Sequence, residues 1–282
     1  MSIAAPRVDH IVLDTRDRMD HAVAVYRSLG FHLTERSKHT LGSINHLAVF
    51  ESDYLELLGF SLGQPPRADI ASFPIGLNGL VFSTESADDL FQEIRRSDLP
   101  VEQPQTFSRP VNLSEGVDDA RFRAVRFKDG GASFGRVYFC QHLTPSLVWR
   151  REWQDHPNGA TALTRVSIAA RCPYQSAEVF RLLFGQANVS CVSGAICKLL
   201  AGTVEIELHD AGALQSELGV AAPSPSGRND FIARVGIRTS SLRQTAEVLR
   251  SNAVPFRAEP AHVLVPAAAA FNVAIEFTER VS

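Results

Sequence analysis

The sequence predicts an α+β protein built from four tandem βαβββ units. Three observations lead to this fold class. A short apolar strand, an amphipathic helix and up to three further strands follow one another four times along the chain. The repeats begin near residues 8, 78, 162 and 231, so the units have similar lengths. Turn-rich stretches separate the units and divide the chain into two halves.

The first unit runs from Val8 to Phe60. Its opening segment VDHIVLDTRD predicts a buried strand, and RMDHAVAVYRSLG predicts a helix whose apolar residues recur at helical spacing until Gly30. The segments FHLTER, SINHLAVF and YLELLGF then predict three short strands. No single segment is specific, so the prediction depends on the order of all five.

The second unit covers roughly residues 78–142 and follows the same order with one irregularity. GLVFSTE predicts a strand and ADDLFQEIRRSDL a helix. ARFRAVRF and GRVYFCQHL predict two strands joined by the turn DGGASFG. The segment VEQPQTFS is irregular, and we expect a loop from Pro110 to Asp119 after it.

Composition changes place a domain boundary in the middle of the chain. We predict an N-terminal domain at residues 1–145, a connector at 146–161 and a C-terminal domain at 162–282. The third unit begins with LTRVSIAAR and SAEVFRLLFG, and the fourth begins with FIARVGIRT and SLRQTAEVLRSN. The Pro-, Ser- and Gly-rich stretch GVAAPSPSGRND links these two units.

The connector is polar and aromatic and ends in the turn signal Pro157-Asn158-Gly159. We expect its His156 to belong to an exposed turn. Its two tryptophans, Trp149 and Trp153, either cover the mouth of a binding site or pack the two domains together. We favour packing.

Composition indicates a soluble globular protein. Of the 282 residues, 45% are hydrophobic and 21% are charged, and the net charge of −3 argues against non-specific nucleic-acid binding. No apolar run approaches the roughly 20 residues of a membrane span, and the N-terminus lacks the long apolar segment of a signal peptide. The four cysteines form no CxxC motif, so we expect reduced thiols in a cytoplasmic protein without nucleic-acid or membrane partners.

The first strand contains a histidine, His10, among apolar residues. A polar ring buried without a partner costs roughly 1–3 kcal/mol, so His10 needs a backbone carbonyl, a carboxylate or a metal ion. Side chains alternate along a strand, so Glu56 in YLELLGF faces the side opposite to Leu55 and Leu57. A hydrogen bond between His10 and Glu56 would satisfy both side chains, and a cation bound by both is the other interpretation.

The fourfold order, together with VDHIVLDT, YRSLGF and DYLELLGF, resembles the vicinal oxygen chelate superfamily of glyoxalase and extradiol dioxygenase relatives. The resemblance covers nearly the whole chain, from about Val8 to Glu279. It implies two domains of the glyoxalase/bleomycin-resistance type, in each of which two units close a cup-shaped half-barrel. It also implies a divalent metal ion in the cup, bound by side chains of the first and fourth strands and by substrate oxygens.

This resemblance gives His10 and Glu56 the ligand positions on the first and fourth strands of the first unit. Together with His142 they would form a two-histidine, one-carboxylate set with open positions, which suits Fe, Mn, Ni or Zn. In the second unit, alignment of GLVFSTES with DHIVLDTR puts Leu80 at the first-strand position. Leucine cannot bind a metal.

The fourth-strand position of the second unit falls near Cys140 in GRVYFCQHL. His142 shares the face of Cys140, whereas Gln141 faces away unless the register slips by one residue. We therefore expect His142 as the third ligand, with Gln141 and Cys140 as the alternatives.

The C-terminal domain has different residues at the same positions. The alignment puts Arg165 and Arg234 on the first strands and Glu207 and Glu276 on the fourth strands. Guanidinium groups cannot bind a cation, but they pair well with carboxylates. We therefore expect a buried arginine–glutamate cluster in place of a metal, and binding of an anionic substrate is the alternative.

The resemblance implies a protein that binds a small molecule. Our first hypothesis is a divalent-metal-dependent glyoxalase-like enzyme, a lyase or isomerase, that acts on a small oxygenated substrate. Glu56 and Tyr138 are its candidate catalytic residues. Tyr138 shares the face of Cys140 and is placed to donate a hydrogen bond to an oxyanion, and core packing is its alternative role.

Two other functions are compatible with the same resemblance. An Fe(II) extradiol-type dioxygenase is disfavoured, because such enzymes usually keep their metal in the later domain, where this chain has arginines. A metal-free small-molecule-binding protein is favoured by the missing ligand at Leu80. The oligomeric state stays open, and the resemblance is compatible with a homodimer.

Overall fold

This computed structural model describes residues 5–96, 99–114, 116–192 and 194–279. Positions 97–98 at the end of the second predicted helix and position 115 in the predicted loop lie outside the described residues, as do residues 1–4, 193 and 280–282. Within the described ranges the chain forms two sheets of eight strands each.

The strands of the first sheet belong to the N-terminal half of the chain. They are β1 (Val8–Arg16), β2 (Ser37–Lys38), β3 (Ile44–Val49), β4 (Tyr54–Gly59), β5 (Gly76–Ser83), β6 (Gln105–Leu113), β7 (Gly116–Ala132) and β8 (Gly135–His142). Those of the second sheet are β9 (Ala160–Ala170), β10 (Val189–Val192), β11 (Ile196–Ala201), β12 (Val204–Asp210), β13 (Phe231–Thr239), β14 (Arg257–Ala258), β15 (Val263–Val265) and β16 (Ala274–Thr278).

Short helices connect the strands. The α-helices of the described residues are α1 (Met19–Ser28), α2 (Ala68–Ala71), α3 (Ala87–Ile94), α4 (Pro173–Ser176), α5 (Glu178–Phe184), α6 (Ala211–Leu218) and α7 (Leu242–Ser251). Single 3-10 turns lie at Pro145–Leu147, Arg151–Trp153, Gln186–Asn188, Gly219–Ala221 and Ala267–Ala269. Every helix in this part of the chain is too short or too polar to span a bilayer.

Both sheets have the same strand order, which confirms the four-unit prediction. The first sheet runs β2-β3-β4-β1-β5-β8-β7-β6, and the second runs β10-β11-β12-β9-β13-β16-β15-β14. At the centre of each sheet two first strands lie antiparallel, β1 beside β5 and β9 beside β13. Each first strand also pairs in parallel with the fourth strand of its own unit. Each half of a sheet is therefore one βαβββ unit.

The expected loop from Pro110 to Asp119 is wrong, because most of this stretch belongs to a long hairpin. β6 pairs with β7 along its whole length, and Pro110 lies opposite Asp119. β6 is an edge strand, where proline is tolerated because its missing N–H leaves no ladder hydrogen bond unmade. Proline and acidic residues hide the strand alternation of this segment in the sequence.

One apolar core joins the two sheets. Apolar residues of α1 and α5 lie in a buried cluster that also contains residues of both sheets. Phe82 of β5 contacts Phe184 of α5, with ring centroids 4.9 Å apart. Phe31, after α1, packs with Phe277 of β16 at 6.1 Å. All four rings are at most 2% exposed, so each half of the chain covers apolar surface of the other, worth about 25 cal/mol per Å².

The predicted connector lies between His142, where β8 ends, and Ala160, where β9 begins. Its His156 is 2% exposed, so the expectation of an exposed turn is wrong. Nδ1 of His156 accepts a hydrogen bond from the backbone N–H of His32 at 3.0 Å, and Nε2 donates to the carbonyl of Val49 at 2.9 Å. The ring therefore ties the connector to the first sheet.

Cys191 and Cys197 form a disulfide between β10 and β11. The expectation of reduced thiols is wrong for this pair, because the hairpin register places the two cysteines directly opposite each other. Cys140 and Cys172 are free.

Asp53 connects the turn between β3 and β4 to the second sheet. Its Oδ1 accepts a hydrogen bond from the backbone N–H of Leu163 in β9 at 2.8 Å. Burial raises the pKa of Asp53 to about 7, although this hydrogen bond acts in the opposite direction. The Asp53 carboxyl therefore stays protonated in the folded protein at pH values at which it loses its proton in the unfolded chain.

We expect Asp53→Asn to stabilise the protein at pH 8 and to change little at pH 4. Between about pH 4 and pH 7 the native fold retains a proton that the unfolded chain loses, so native stability falls as the pH rises through this window. Above it the gain from Asp53→Asn approaches about 4 kcal/mol, at ~1.4 kcal/mol for each pH unit of the window. Urea denaturation of the native chain and of Asp53→Asn across this pH range measures the difference in their free energies of unfolding.

Asp155→Asn removes an exposed carboxyl of the connector and is the matched control. Its effect on the free energy of unfolding should be small and independent of pH. A gain for Asp53→Asn that stays constant from pH 4 to pH 8 would contradict a raised pKa for Asp53.

Candidate active site

The concave face of the first sheet encloses a cavity of about 40 Å³. Its walls include Leu58, Phe107 and Phe122, and its polar groups include His10 and Glu56. We call this cavity the N-terminal cup. It lies on the face of the sheet opposite to the shared apolar core, because side chains alternate between the two faces of each strand.

The partner of His10 is a carboxylate. Its Nδ1 donates to Oδ1 of Asp9 at 2.5 Å, which leaves the lone pair of Nε2 facing the cup. Oε2 of Glu56 lies 3.9 Å from this Nε2, and the hydroxyl of Tyr138 lies 3.4 Å from it. The ring of His10 stacks on Tyr54, with centroids 4.3 Å apart.

Asp9 and His10 are neighbours in one strand, where adjacent side chains normally point to opposite faces. The pairing of β1 with β5 shifts register between Val8 and His10. This irregularity lets the Asp9 carboxylate reach the imidazole. Asp9 was not predicted, and the only signal in the sequence is an acidic residue next to a strand histidine.

Asp9 also contacts His142. Nε2 of His142 donates to Asp9 at 3.0 Å, and its ring stacks on Trp149 at 5.4 Å. Burial alone would raise the pKa of Asp9, but the charge of His142 and the hydrogen bonds from both histidines outweigh it and hold that pKa below its usual range. The structure thus brings His10 and Glu56 together and connects His142 to His10 through an ionised Asp9.

The alternatives to His142 lie on both sides of β8. Gln141 faces away from the cup and donates to the carbonyl of Glu85 at 2.7 Å. Cys140 lines the cup, and burial raises the pKa of its thiol well above the usual value. Among the described residues, Asp9, Cys140 and His142 form the one group of three whose ligand atoms all lie within 4.8 Å of one another. This group is a second arrangement that suits a metal ion.

Glu56 is held by polar neighbours. Nδ2 of Asn45 donates to Oε1 of Glu56 at 2.8 Å. Nε2 of His39 lies 3.9 Å from the same oxygen. Burial lowers the pKa of His39 to about 4, so its ring is neutral near pH 7. His39 has no ligand spacing in the sequence, and only the folding of the chain after β2 brings it to the cup.

Strand pairing shows that Gly79 and Tyr138 occupy the two ligand positions of the second unit. Across the central strands His10 is opposite Val81, and symmetrically Gly79 is opposite Val12. In β8, Tyr138 lies two residues after the pairing partner of Gly79. In β4, the fourth-strand ligand position likewise lies two residues after the pairing partner of His10. The sequence alignment is therefore off by one residue on the first strand, where it gave Leu80, and by two residues on the fourth strand, where it gave Cys140.

Leu80, which the alignment put at the first of these positions, lies in the apolar core on the opposite face. A Cβ on Gly79 would lie 2.6 Å from Cβ of Val12, so a ligand side chain would not fit there without a shift of the backbone. Burial raises the pKa of Tyr138 well above its usual range, so its phenol is a neutral hydrogen-bond donor. The second unit therefore has no charged ligand at either position.

Arginines dominate the charge of the cup. Among the described residues, its lining contains one carboxylate, that of Glu56, and four arginines, which are Arg67, Arg109, Arg126 and Arg136. None of them was predicted. Two are on the β6–β7 hairpin, part of which was expected to be a loop. The signal in the sequence is the alternation FSRP and RFRAVR, which places arginines and phenylalanines on one face.

The predicted arginine–glutamate cluster is confirmed in the second sheet. Arg165 lies 2.8 Å from Glu276 and 3.3 Å from Glu207. Arg234 lies 3.7 Å from Glu276 and 3.9 Å from Glu207. Nζ of Lys198 also lies 2.7 Å from Glu207. The two arginines occupy the position at which the first unit has His10, and the two glutamates occupy the position of Glu56.

We expect Arg165→Met to destabilise the protein by about 3 kcal/mol, because it leaves two buried carboxylates with fewer counter-charges. Urea denaturation at pH 7 measures the loss. Arg243→Met is the matched control, since Arg243 is 82% exposed and its ion pair with Glu247 should contribute less than about 0.5 kcal/mol. Equal effects of the two substitutions would show that the buried cluster contributes nothing to stability.

A family model for a glyoxalase-like domain matches residues 8–184, which is more than half of the chain. No curated protein matches the sequence.

Three solved structures share the fold at low sequence identity. A hypothetical protein from Staphylococcus aureus is 11% identical and aligns with a TM-score of 0.70 over 96% of this chain and 98% of its own. A variant of 4-hydroxymandelate synthase from Streptomyces coelicolor is 12% identical, with a TM-score of 0.59 over 98% and 92% of the two chains. The Mn(II)-bound glyoxalase from Novosphingobium aromaticivorans is 11% identical, with a TM-score of 0.59 over 97% and 82%. At these identities the likeness is one of fold alone.

Proposed function

Because the chain belongs to the glyoxalase-like domain family of the vicinal oxygen chelate superfamily, we propose that it is a divalent-metal-dependent enzyme of the lyase or isomerase type. Its substrate is a small oxygenated molecule bound in the N-terminal cup. One observation carries the proposal: Nε2 of His10 and the carboxylate of Glu56 face each other 3.9 Å apart inside a buried cavity.

The donor groups of this pair fit a first-row divalent cation such as Fe, Mn, Ni or Zn. Nε2 of His10 directs its lone pair into the cup, because Nδ1 donates to Asp9, and the hydroxyl of Tyr138 is a neighbour that a cation would displace from it. A carboxylate on the second nitrogen is the usual support of a metal-binding histidine, since it fixes the tautomer and the ring orientation. Imidazole nitrogen and carboxylate oxygen together suit these ions. When bound, such a cation supplies Lewis-acid polarisation of a substrate oxygen.

The other polar groups of the cup have roles that follow from their protonation. Tyr138 keeps its proton and donates a hydrogen bond toward the position where a substrate oxygen gains negative charge. Asn45 fixes one oxygen of Glu56, which leaves the other oxygen directed at His10. We therefore assign Tyr138 to oxyanion stabilisation and Glu56 to cation binding, next to the substrate.

His142 has a supporting role in this proposal. Its Nε2 donates to Asp9, and Asp9 in turn accepts from His10. His142 therefore helps to keep Asp9 ionised and in place, and we assign it as a positioning residue rather than as the third ligand that the sequence suggests.

A metal-free small-molecule-binding protein is the second candidate. Gly79 and Tyr138 favour it, because they leave the second unit without a metal ligand at the two expected positions. An extradiol-type dioxygenase is supported less, because Arg165 and Arg234 occupy the ligand positions of the later half of the chain.

Metal content tests the proposal. Elemental analysis of the full chain, purified without chelator, should find about one divalent ion per chain, since the second sheet has arginines at its ligand positions. His10→Ala and Glu56→Ala should lose this ion, because each removes a donor. Cys140→Ala and His142→Ala should retain it, and so should Glu276→Gln, the control in the second sheet.

Other patterns of metal content would indicate a different metal site or a different function. Loss of the ion from Cys140→Ala and His142→Ala, but not from Glu56→Ala, would show that the metal is bound by Cys140 and His142 together with Asp9. A native chain that takes up no metal on reconstitution would support the binding protein instead. Oxygen consumption by the metal-loaded chain with catechol-type substrates would indicate a dioxygenase.

A further inference from the structure

We propose that the substrate of the N-terminal cup is a small organic anion whose carboxylate or phosphate group is neutralised by Arg109 and Arg126. This inference rests on the proposed function only in taking the cup as the substrate site, and it does not require the metal ion. The chemistry common to both groups is a negatively charged oxygen, which guanidinium binds through charge-assisted hydrogen bonds.

Two of the four arginines in the cup are already paired. Arg67 lies 3.0 Å from Asp69, and Arg136 donates to Asn78 at 3.0 Å. Arg109 and Arg126 differ from them, because within the described residues neither has a carboxylate oxygen within 4 Å. In the part of the chain that the structure describes, these two guanidinium groups therefore have no ion-pair partner, and Glu56 and Asp69 act on them only from a distance.

Arg109 is the more buried of the two. It is 3% exposed, and its Nη2 is buried without a hydrogen-bond partner. Its guanidinium packs on the ring of Phe122, 5.9 Å from the centroid. A buried guanidinium with an unpaired N–H costs free energy that an apolar side chain would not cost. A ligand that supplies the missing acceptor accounts for an arginine at this position.

Phe107 and Phe122 form an aromatic wall of the cup, and Arg126 lies over Phe107. Phe107 and Phe122 stack with centroids 5.3 Å apart, and the guanidinium of Arg126 lies 5.4 Å from the centroid of Phe107. Arg126 donates to Gln105 at 3.2 Å, but its Nε is buried without a partner. The wall thus offers apolar surface between two cations, which suits a ligand with an apolar body and an anionic group.

Anion-dependent thermal stability tests the inference. The full chain is treated with chelator, and its Tm is followed against sodium acetate, inorganic phosphate and acetamide at constant ionic strength. Acetate, phosphate or both should raise the Tm in a saturable way, whereas acetamide, which matches acetate in size but is uncharged, should not. The anion that saturates at lower concentration distinguishes a carboxylate from a phosphate ligand.

The substitutions identify the residues. Arg109→Gln and Arg126→Gln should each weaken anion binding by about tenfold or more, because each removes a charge-assisted hydrogen bond. Arg121→Gln, at an exposed position of the same hairpin, removes the same charge outside the cup and should leave the affinity within about twofold. Acetamide binding equal to that of acetate, or unchanged affinity in both cup variants, would overturn the inference.

The stability of the ligand-free variants excludes a purely structural role. Arg109→Gln should have the Tm of the native chain or a higher one, because it removes an uncompensated buried charge. A Tm lowered by more than about 5 °C would show that Arg109 is needed for the fold and would remove the basis of the inference. Metal uptake without anion selectivity would refute this inference alone, and anion selectivity without metal uptake would refute the proposed enzyme alone.

Discussion

In each of the four units the first strand pairs in parallel with the fourth, and this pairing decides which side chains meet in a cup. The register brings His10 near Glu56 in the first unit and Arg165 near Glu207 in the third. Because backbone hydrogen bonds fix the register, the two side chains approach each other whatever their chemistry. A slip of either strand by one residue would turn its own side chain toward the apolar core and separate the two.

The same backbone geometry therefore carries different chemistry at each repeat. An imidazole opposite a carboxylate leaves a lone pair available in the first unit, and Asp9 directs that lone pair into the cup. A glycine opposite a phenol offers close packing and one hydrogen-bond donor in the second unit. In the second sheet the guanidinium groups and the carboxylates opposite them neutralise each other's charge. The family fold fixes the positions, and the residues there decide what each cup can bind.

His10 and Glu56 could be found from the sequence, because the repeat and the strand alternation point to the same two residues. The second unit could not be aligned to the residue, since Gly79 has no side chain that would mark the position equivalent to His10, and only the strand pairing identifies it. The contacts of Asp9 and the position of His39 depend on segments that are distant along the chain. Arg109 lies beside a proline on an edge strand, where the alternation is hard to recognise.

The contact between Phe82 and Phe184 also limits how far the two halves of the chain can be separated during evolution. By repeat order α5 belongs to the third unit, yet its last residue covers the underside of the first sheet, and the family match ends at that same residue, 184. A gene fragment that stopped at the connector would encode a sheet with an aromatic face open to water. The two halves are therefore expected to pass through evolution as one piece, because helices of the second half keep that face covered.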